Sequence, residues 1–294
     1  MLGKRPLALS ALSRSGTKLR LRALSAITLI PVVIALIVLG GYAWLITILV
    51  VGLLAGRELF FLLRRAGYQP NMALGLLWVA LLILEGFRPA WGGLRPLMAA
   101  VLFLSLLWAL FQRRKTTLAD WALTIAGAAY VGGLLAHFVA LRGQPDGLWW
   151  LFLGLTAVWL GDSGAFLVGL TMGRRKLWPR LSPRKTQEGT IGGFVSTILG
   201  VLGFVALCGN LAPHTAVARM GWVFAVSLGI LLGPIALAGD LAVSLFKRQA
   251  QVKDSGNLIP GHGGMLDRID SLLFAIPVVY YWALLIGYLA SPSS

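Results

Sequence analysis

Carboxylates, glycines and basic side chains are concentrated in one stretch near the end of the chain. Residues 244–270 read SLFKRQAQVKDSGNLIPGHGGMLDRID and lie between two long apolar runs. In a helix, Asp240 shares one face with three later polar side chains, Ser244, Lys247 and Arg248. Mg²⁺ prefers oxygen ligands, usually one or two carboxylates together with substrate phosphates. The pattern therefore predicts a site for a metal-bound nucleoside triphosphate.

The segment between these two apolar runs is predicted to be a loop. It has no apolar period, and Gly or Pro recurs from Gly256 to Gly264. Backbone N–H groups of such a loop, with Lys253 and His262 beside them, suit a polyphosphate. The last helix is then predicted to open with three charged residues, Asp267, Arg268 and Asp270. A helix N-terminus favours carboxylates at these positions.

A second polar block covers residues 162–189, which read DSGAFLVGLTMGRRKLWPRLSPRKTQEG. Its Asp162 is flanked by apolar residues, where a charge costs about 2.5 to 3.5 kcal/mol on insertion scales. We therefore expect Asp162 to have a partner. Further along the block, hydroxyl and ammonium groups suited to a substrate phosphate occur together, at Ser182, Lys185 and Thr186.

The composition identifies the elements that must position these groups. Hydrophobic residues make up 58% of the 294 residues and charged residues 12%, and mean hydropathy is +0.83, whereas soluble domains carry roughly 25% charge. A spanning helix needs about 20 mostly apolar residues. The fold class is predicted to be an all-α polytopic membrane protein with about nine transmembrane helices, near residues 24–39, 41–62, 72–87, 95–112, 117–141, 148–172, 189–210, 217–246 and 270–289.

The distribution of basic residues predicts the orientation of these helices. If the N-terminus is cytoplasmic and the C-terminus outside, most of the 26 Lys and Arg fall in cytosolic segments, as the positive-inside rule requires. Both polar blocks then reach the cytosolic side. The net charge of +16 is explained by this topology and by attraction to anionic lipids, at about 1 kcal/mol per basic residue near the surface. Nucleic acid is not an expected partner.

Three regions are predicted along the chain. Residues 1–23 form a basic cytosolic tail, residues 24–147 the N-terminal transmembrane helices, and residues 148–294 the C-terminal catalytic transmembrane domain. The first two apolar spans share a turn at Gly40 and Gly41, so they form either a tight hairpin or a single broken element. Glu58, at the end of the second span, is expected to make a structural ion pair or a headgroup contact rather than to act in catalysis.

The two polar blocks resemble the signatures of the phosphatidate cytidylyltransferases, also called CDP-diacylglycerol synthases. One signature is the run S-L-F-K-R, four residues, K-D-S-G, then P-G-H-G-G-M-L-D-R-I-D, and the other is D-x-x-A-F-x-x-G followed by S-P-R-K-T-x-E-G. Two departures are visible. Phe166 stands where the family commonly has tyrosine, and Gln187 stands where it commonly has tryptophan, but neither removes a charge or a ligand.

The resemblance implies an enzyme that transfers the cytidylyl group of CTP to phosphatidic acid, giving CDP-diacylglycerol and pyrophosphate. Asp240 and Asp267 are expected to hold Mg²⁺, with one or two cations left open, and Lys247 and Asp270 to complete the catalytic set. The expected substrate-binding residues are Ser182, Lys185, Thr186, Ser244, Arg248, Lys253, His262 and Arg268. The resemblance also implies a homodimer among membrane lipids, in a bacterial inner membrane with its active site facing the cytoplasm.

Two other functions are compatible with the residues. One is an enzyme that uses CTP on another lipid, such as a polyprenol kinase or an archaeal-type lipid cytidylyltransferase, although Lys247, Arg248 and the H-G-G-x-x-D-R-x-D run count against the kinase. The other is an ion-coupled transporter, because intramembrane carboxylates also bind ions. The His-Gly-Gly run beside a basic loop favours a phosphate site over a transmembrane path.

Overall fold

Helices account for most of the chain in the computed structural model, which describes residues 31–87, 94–112, 115–256 and 263–290. The predicted basic tail, the start of the first predicted span and His262 lie outside the described residues. The first half forms α1 (31–39), α2 (Gly41–Arg65), α3 (Met72–Phe87), α4 (Leu94–Leu110), α5 (Thr117–Ala128), a π-helical turn (Ala129–Gly133) and α6 (Leu134–Gly143). The second half forms α7 (Gly147–Thr171), β1 (Lys176–Trp178), β2 (Ser182–Thr186), α8 (Gln187–Leu211), α9 (Ala216–Arg219), α10 (Trp222–Gln249) and α11 (Leu266–Ala290).

Six of these helical stretches are long and apolar enough to cross a membrane. They are α2, the continuous stretch Thr117–Gly143, α7, α8, α10 and α11, while Met72–Phe87 and Pro96–Leu110 are shorter apolar helices. Six such helices indicate an integral membrane protein. The predicted total of nine spans and the orientation of the termini stay predictions.

The all-α prediction is wrong for one segment. β1 and β2 form an antiparallel hairpin in which Lys176 pairs with Thr186 and Trp178 with Ser182. Two prolines explain the change, because Pro179 and Pro183 lack the backbone N–H that a helix needs. The hairpin lies between α7 and α8 and carries the middle of the second polar block, including Ser182, Lys185 and Thr186.

The predicted turn between the first two spans is confirmed. Gly40 and Gly41 have φ of 62° and 51°, a conformation that glycine adopts without the usual steric cost. The guanidinium of Arg142 donates from Nε to the carbonyl of Ile37 at 2.7 Å and from Nη2 to that of Val38 at 3.0 Å. Arg142 therefore satisfies carbonyls that the end of α1 leaves without helical partners.

Small residues let the helices of the second half approach closely. Between α7 and α8, a Cβ added to Gly193 would lie 2.9 Å from the Cβ of Ala165. Between α10 and α11, a side chain at Gly239 would collide with the backbone of Asp270. Such small-residue contacts are typical of helix packing in membranes. The contact at Gly239 brings the neighbouring Asp240 close to the first turns of α11.

Aromatic side chains join the two halves of the chain. Tyr130, in the π-helical turn, packs edge-to-face on Phe246 of α10 and Phe274 of α11, with ring centroids 5.5 Å and 6.1 Å apart. Further along, His137 of α6 lies against Tyr280 of α11 at 5.3 Å. These contacts hold α10 and α11 against the first half.

Candidate active site

The two polar blocks of the sequence meet at one cavity of about 620 Å³. Its walls come from α7, β2, α8, α10 and the first turns of α11. Seven charged side chains line it: Asp162, Arg184, Lys185, Asp240, Asp267, Arg268 and Asp270. Acidic and basic groups from four elements therefore converge, as a site for a cation and an anionic substrate requires.

An ion pair connects the hairpin to α10 inside this cavity. The ammonium of Lys185 on β2 contacts the carboxylate of Asp240. The next residue, Thr186, caps α8, because its hydroxyl accepts a hydrogen bond from the backbone N–H of Gly189 at 3.1 Å. The cap fixes where β2 ends and α8 begins, and so fixes the base of the Lys185 side chain.

Asp267 at the start of α11 is held by four donors. Its Oδ1 accepts from Lys247 Nζ at 2.6 Å. Its Oδ2 accepts from the backbone N–H of Ser255 at 2.8 Å, from the hydroxyl of Ser255 at 3.0 Å and from the backbone N–H of Gly264 at 3.2 Å. Hydrogen bonds to a charged group are stronger than neutral ones, so the orientation of this carboxylate is fixed by the protein itself.

Asp270 is about one helical turn beyond Asp267 and lines the same cavity. It accepts a hydrogen bond from the backbone N–H of Ser271 at 2.8 Å and interacts electrostatically with Asp240 and Asp162. Three carboxylates that line one cavity repel one another. Lys185 interacts with both Asp162 and Asp240 and offsets part of this repulsion.

The polar side chains predicted to share one face of α10 contact different partners. Asp240 faces Lys185, whereas Lys247 faces Asp267. Arg248 turns to the hairpin, where its Nε donates to the carbonyl of Leu181 at 3.1 Å. Ser244 is buried at 7% exposure and is absent from the cavity lining among the described residues.

The remaining predicted substrate-binding residues have different positions. Thr186 and Arg268 line the cavity together with Lys185. Ser182 pairs with Trp178 in the hairpin, and Lys253 is exposed on the loop after α10. His262 lies outside the described residues. The binding roles of all these residues stay predictions.

Several polar residues of this region were not among the predicted site residues, and they include Asp162, Arg184, Glu58 and Ser255. Asp162 lines the cavity beside Lys185, and its sequence signal was an aspartate within an apolar run. Glu58 on α2 accepts hydrogen bonds from the backbone N–H groups of Met265 and Leu266, each at 2.9 Å, and from Ser255. No sequence signal identified this partner, because Glu58 and Leu266 are 208 residues apart.

The chain is similar to known proteins over most of its length. The model of the cytidylyltransferase family matches residues 20–286. A phosphatidate cytidylyltransferase of Synechocystis sp. is 33% identical, over 90% of this chain and 96% of the relative. Those of Bacillus subtilis and Staphylococcus aureus are each 32% identical, over 88% and 89% of this chain and 96% and 97% of the relatives.

Proposed function

Because this chain belongs to the cytidylyltransferase family, we propose that it transfers the cytidylyl group of CTP to phosphatidic acid. The products are CDP-diacylglycerol and pyrophosphate. The observation that carries the proposal is the cavity in which Arg184, Lys185 and Arg268 face Asp240 and Asp267. The relatives of this chain in Synechocystis sp. and Bacillus subtilis are named for this activity.

The transfer needs positioning and charge neutralisation more than acid–base chemistry. An oxygen of the phosphatidate phosphate forms a bond to the α-phosphorus of CTP, while the bond from that phosphorus to the β-phosphate oxygen breaks and pyrophosphate leaves with the electron pair. The attacking oxygen is already an anion near neutral pH. Lys185, Arg184 and Arg268 line the cavity and would hold the triphosphate and the developing charge, as cations do in other phosphoryl transfers.

We propose that Asp240 and Asp267 hold Mg²⁺, with Asp270 beside them. The residues fit such an ion, because their carboxylates supply hard oxygen ligands and all three line the same cavity. In the described part of the chain, no three His, Cys, Asp or Glu side chains converge into a metal site by themselves. Mg²⁺ commonly takes its other ligands from water and substrate phosphates. When bound, it would neutralise phosphate charge and orient the triphosphate.

The walls of the cavity suit a lipid substrate. Phe166 and Leu170 on α7 line it and are 67% and 72% exposed. Exposed apolar side chains beside a charged site would admit acyl chains from the bilayer while the phosphate meets the basic residues. We therefore propose that the site opens sideways to the inner leaflet.

The finer membrane arrangement is also a proposal. We propose nine spans with a cytoplasmic N-terminus and an external C-terminus, in a bacterial inner membrane with the cavity facing the cytoplasm. The basic residues around the cavity and the positive-inside rule support this orientation. We further propose a homodimer among membrane lipids, on the family resemblance.

The decisive test is turnover by the purified protein in mixed micelles. We expect CDP-diacylglycerol and stoichiometric pyrophosphate when CTP, phosphatidic acid and Mg²⁺ are all present, and no product when EDTA replaces Mg²⁺. Parallel reactions with a polyprenol and with other phosphorylated lipids separate the alternative CTP-using enzymes. Absence of both products from the phosphatidic acid reaction would overturn the proposal.

A further inference from the structure

Glu58 joins the first half of the chain to the start of α11. Its Oε1 accepts from the backbone N–H of Met265 and its Oε2 from that of Leu266, each at 2.9 Å. These are among the first N–H groups of α11, which have no partner within the helix. A carboxylate from α2 therefore occupies the N-terminus of the helix that carries Asp267.

One hydroxyl connects the carboxylates of Glu58 and Asp267. Ser255 Oγ lies 2.7 Å from Glu58 Oε2 and 3.0 Å from Asp267 Oδ2, and it is 4% exposed. A hydroxyl has one proton to donate, so the two carboxylates share a single donor. Both also accept from backbone N–H groups, and Asp267 accepts from Lys247 as well. Any displacement of Glu58 therefore changes the donors available to Asp267.

Two glycines make room for this arrangement. A Cβ added to Gly256 would lie 2.6 Å from Glu58 Oε1, and one added to Gly264 would collide with the same carboxylate and with Ser255. Both glycines belong to the run that the sequence suggested as a phosphate cradle. The backbone N–H of Gly264 is instead directed to Asp267.

We infer that Glu58 is a positioning residue for the transfer reaction, which acts by fixing Asp267 through Ser255 and through the first turn of α11. The inference rests on the proposed function. Glu58 and Ser255 are absent from the described lining of the cavity that holds Lys185 and Arg268, so Glu58 acts through Asp267 and not on substrate. Its effect is therefore expected on turnover rather than on the affinity for CTP.

The test compares three variants with wild type in the same micelle assay. Glu58→Gln keeps the size of the side chain but replaces one accepting carboxylate oxygen with an amide NH₂. This NH₂ group would then face a donor that now gives its hydrogen bond to the carboxylate. Ser255→Ala removes the shared hydroxyl and leaves the backbone hydrogen bonds of both carboxylates in place. Glu85→Gln is the matched control, because Glu85 is a glutamate of the same half that interacts electrostatically with Tyr280, far along α11 from Asp267.

We expect kcat per folded molecule to fall about 10- to 100-fold in Glu58→Gln and in Ser255→Ala, since displacements of about 1 Å can cost this much. KM for CTP should stay within about threefold of wild type, as expected when an interaction specific to the transition state is lost. The double variant should lose little more than the worse single variant, because both changes break one network. Glu85→Gln should match wild type.

A purely structural role for Glu58 predicts a different result. It would lower the apparent melting temperature and the yield of folded protein, with kcat per folded molecule within about twofold of wild type, and this result would overturn the inference. If Glu58→Gln does not fold, Ser255→Ala decides by the same criterion. An inactive wild type would instead overturn the proposed function, so the two failures are distinguishable.

Discussion

Two lysine–aspartate pairs on α10 and α11 differ in how firmly the protein holds them. The Lys247 and Asp267 side chains are 12% and 8% exposed, and Asp267 has three further hydrogen bonds. The Lys185 and Asp240 side chains are 31% and 22% exposed, and among the described residues Asp240 has no hydrogen bond besides this pair. The first pair is therefore held more firmly than the second, and we expect only the second to exchange its partner when substrate binds.

This difference suggests separate tasks for the two pairs. Lys185 extends from a hairpin and not from a long helix, and it shares the cavity with Arg184 and Arg268. We expect it to exchange Asp240 for a substrate phosphate, because the pair is more exposed than Lys247–Asp267 and no further hydrogen bond among the described residues holds Asp240 in place. Asp267 is anchored to both halves of the chain through Ser255 and Glu58.

The largest effect is expected for Asp267→Asn, which should lower both the stability of the protein and its turnover. Replacement leaves Lys247 buried without a full counter-charge, and breaking a buried pair costs about 3 to 5 kcal/mol. We expect turnover to fall at least about 1000-fold, with a clearly lower melting temperature in a protein that still inserts and folds. Asp240→Asn should lose turnover with almost no change in melting temperature. Equal melting temperatures for the two variants would contradict the inference that the Lys247–Asp267 pair is held more firmly than the Lys185–Asp240 pair.

An intermediate effect is expected for Lys185→Met. The variant keeps an apolar stem but removes the cation proposed to meet substrate phosphate, so kcat/KM for CTP should fall about 100-fold while the melting temperature changes little. Steady-state kinetics at several CTP concentrations measure this effect. Lys176→Met, on the other strand of the same hairpin, is the matched control and should retain wild-type kinetics. An unaffected Lys185→Met would show that this pair does not exchange.

The smallest effect is expected for Arg248→Ala. The Arg248 guanidinium donates to the carbonyl of Leu181 and is absent from the described cavity lining, so its loss should loosen the hairpin and lower kcat/KM only about threefold, the cost of one modest hydrogen bond. Arg268→Ala, which removes a cation from the cavity, should cost more in the same assay. The reverse order would restore Arg248 as a direct substrate ligand.

The sequence predicted much of the fold because helices and membrane spans leave local signals. The apolar run at residues 72–87 coincides with α3, and the turn at Gly40 and Gly41 is where it was expected. The hairpin of residues 176–186 was not predicted as strands, because such short strands have little pattern of their own and depend on the helices on either side.

The candidate site was also predicted only in part, because motif spacing and helical periodicity are local signals. Asp240, Asp267 and Asp270 come together as the motif spacing indicated. The single polar face predicted for α10 did not show that Lys247 pairs with Asp267 while Asp240 pairs with Lys185. Helical periodicity places side chains on a face, but the neighbouring helix decides what that face contacts.

By itself, the sequence determined the membrane class, the family and the set of acidic and basic groups. Composition, the length of apolar runs and motif spacing can all be read along the chain without knowing how it folds. Only the tertiary structure decided which carboxylate is held by several donors and which by a single ion pair. Glu58 reaches α11 across 208 residues, and that contact depends on helix packing that close approaches at glycines permit. The polar stretch of residues 244–270 is therefore completed by a residue from the other half of the protein.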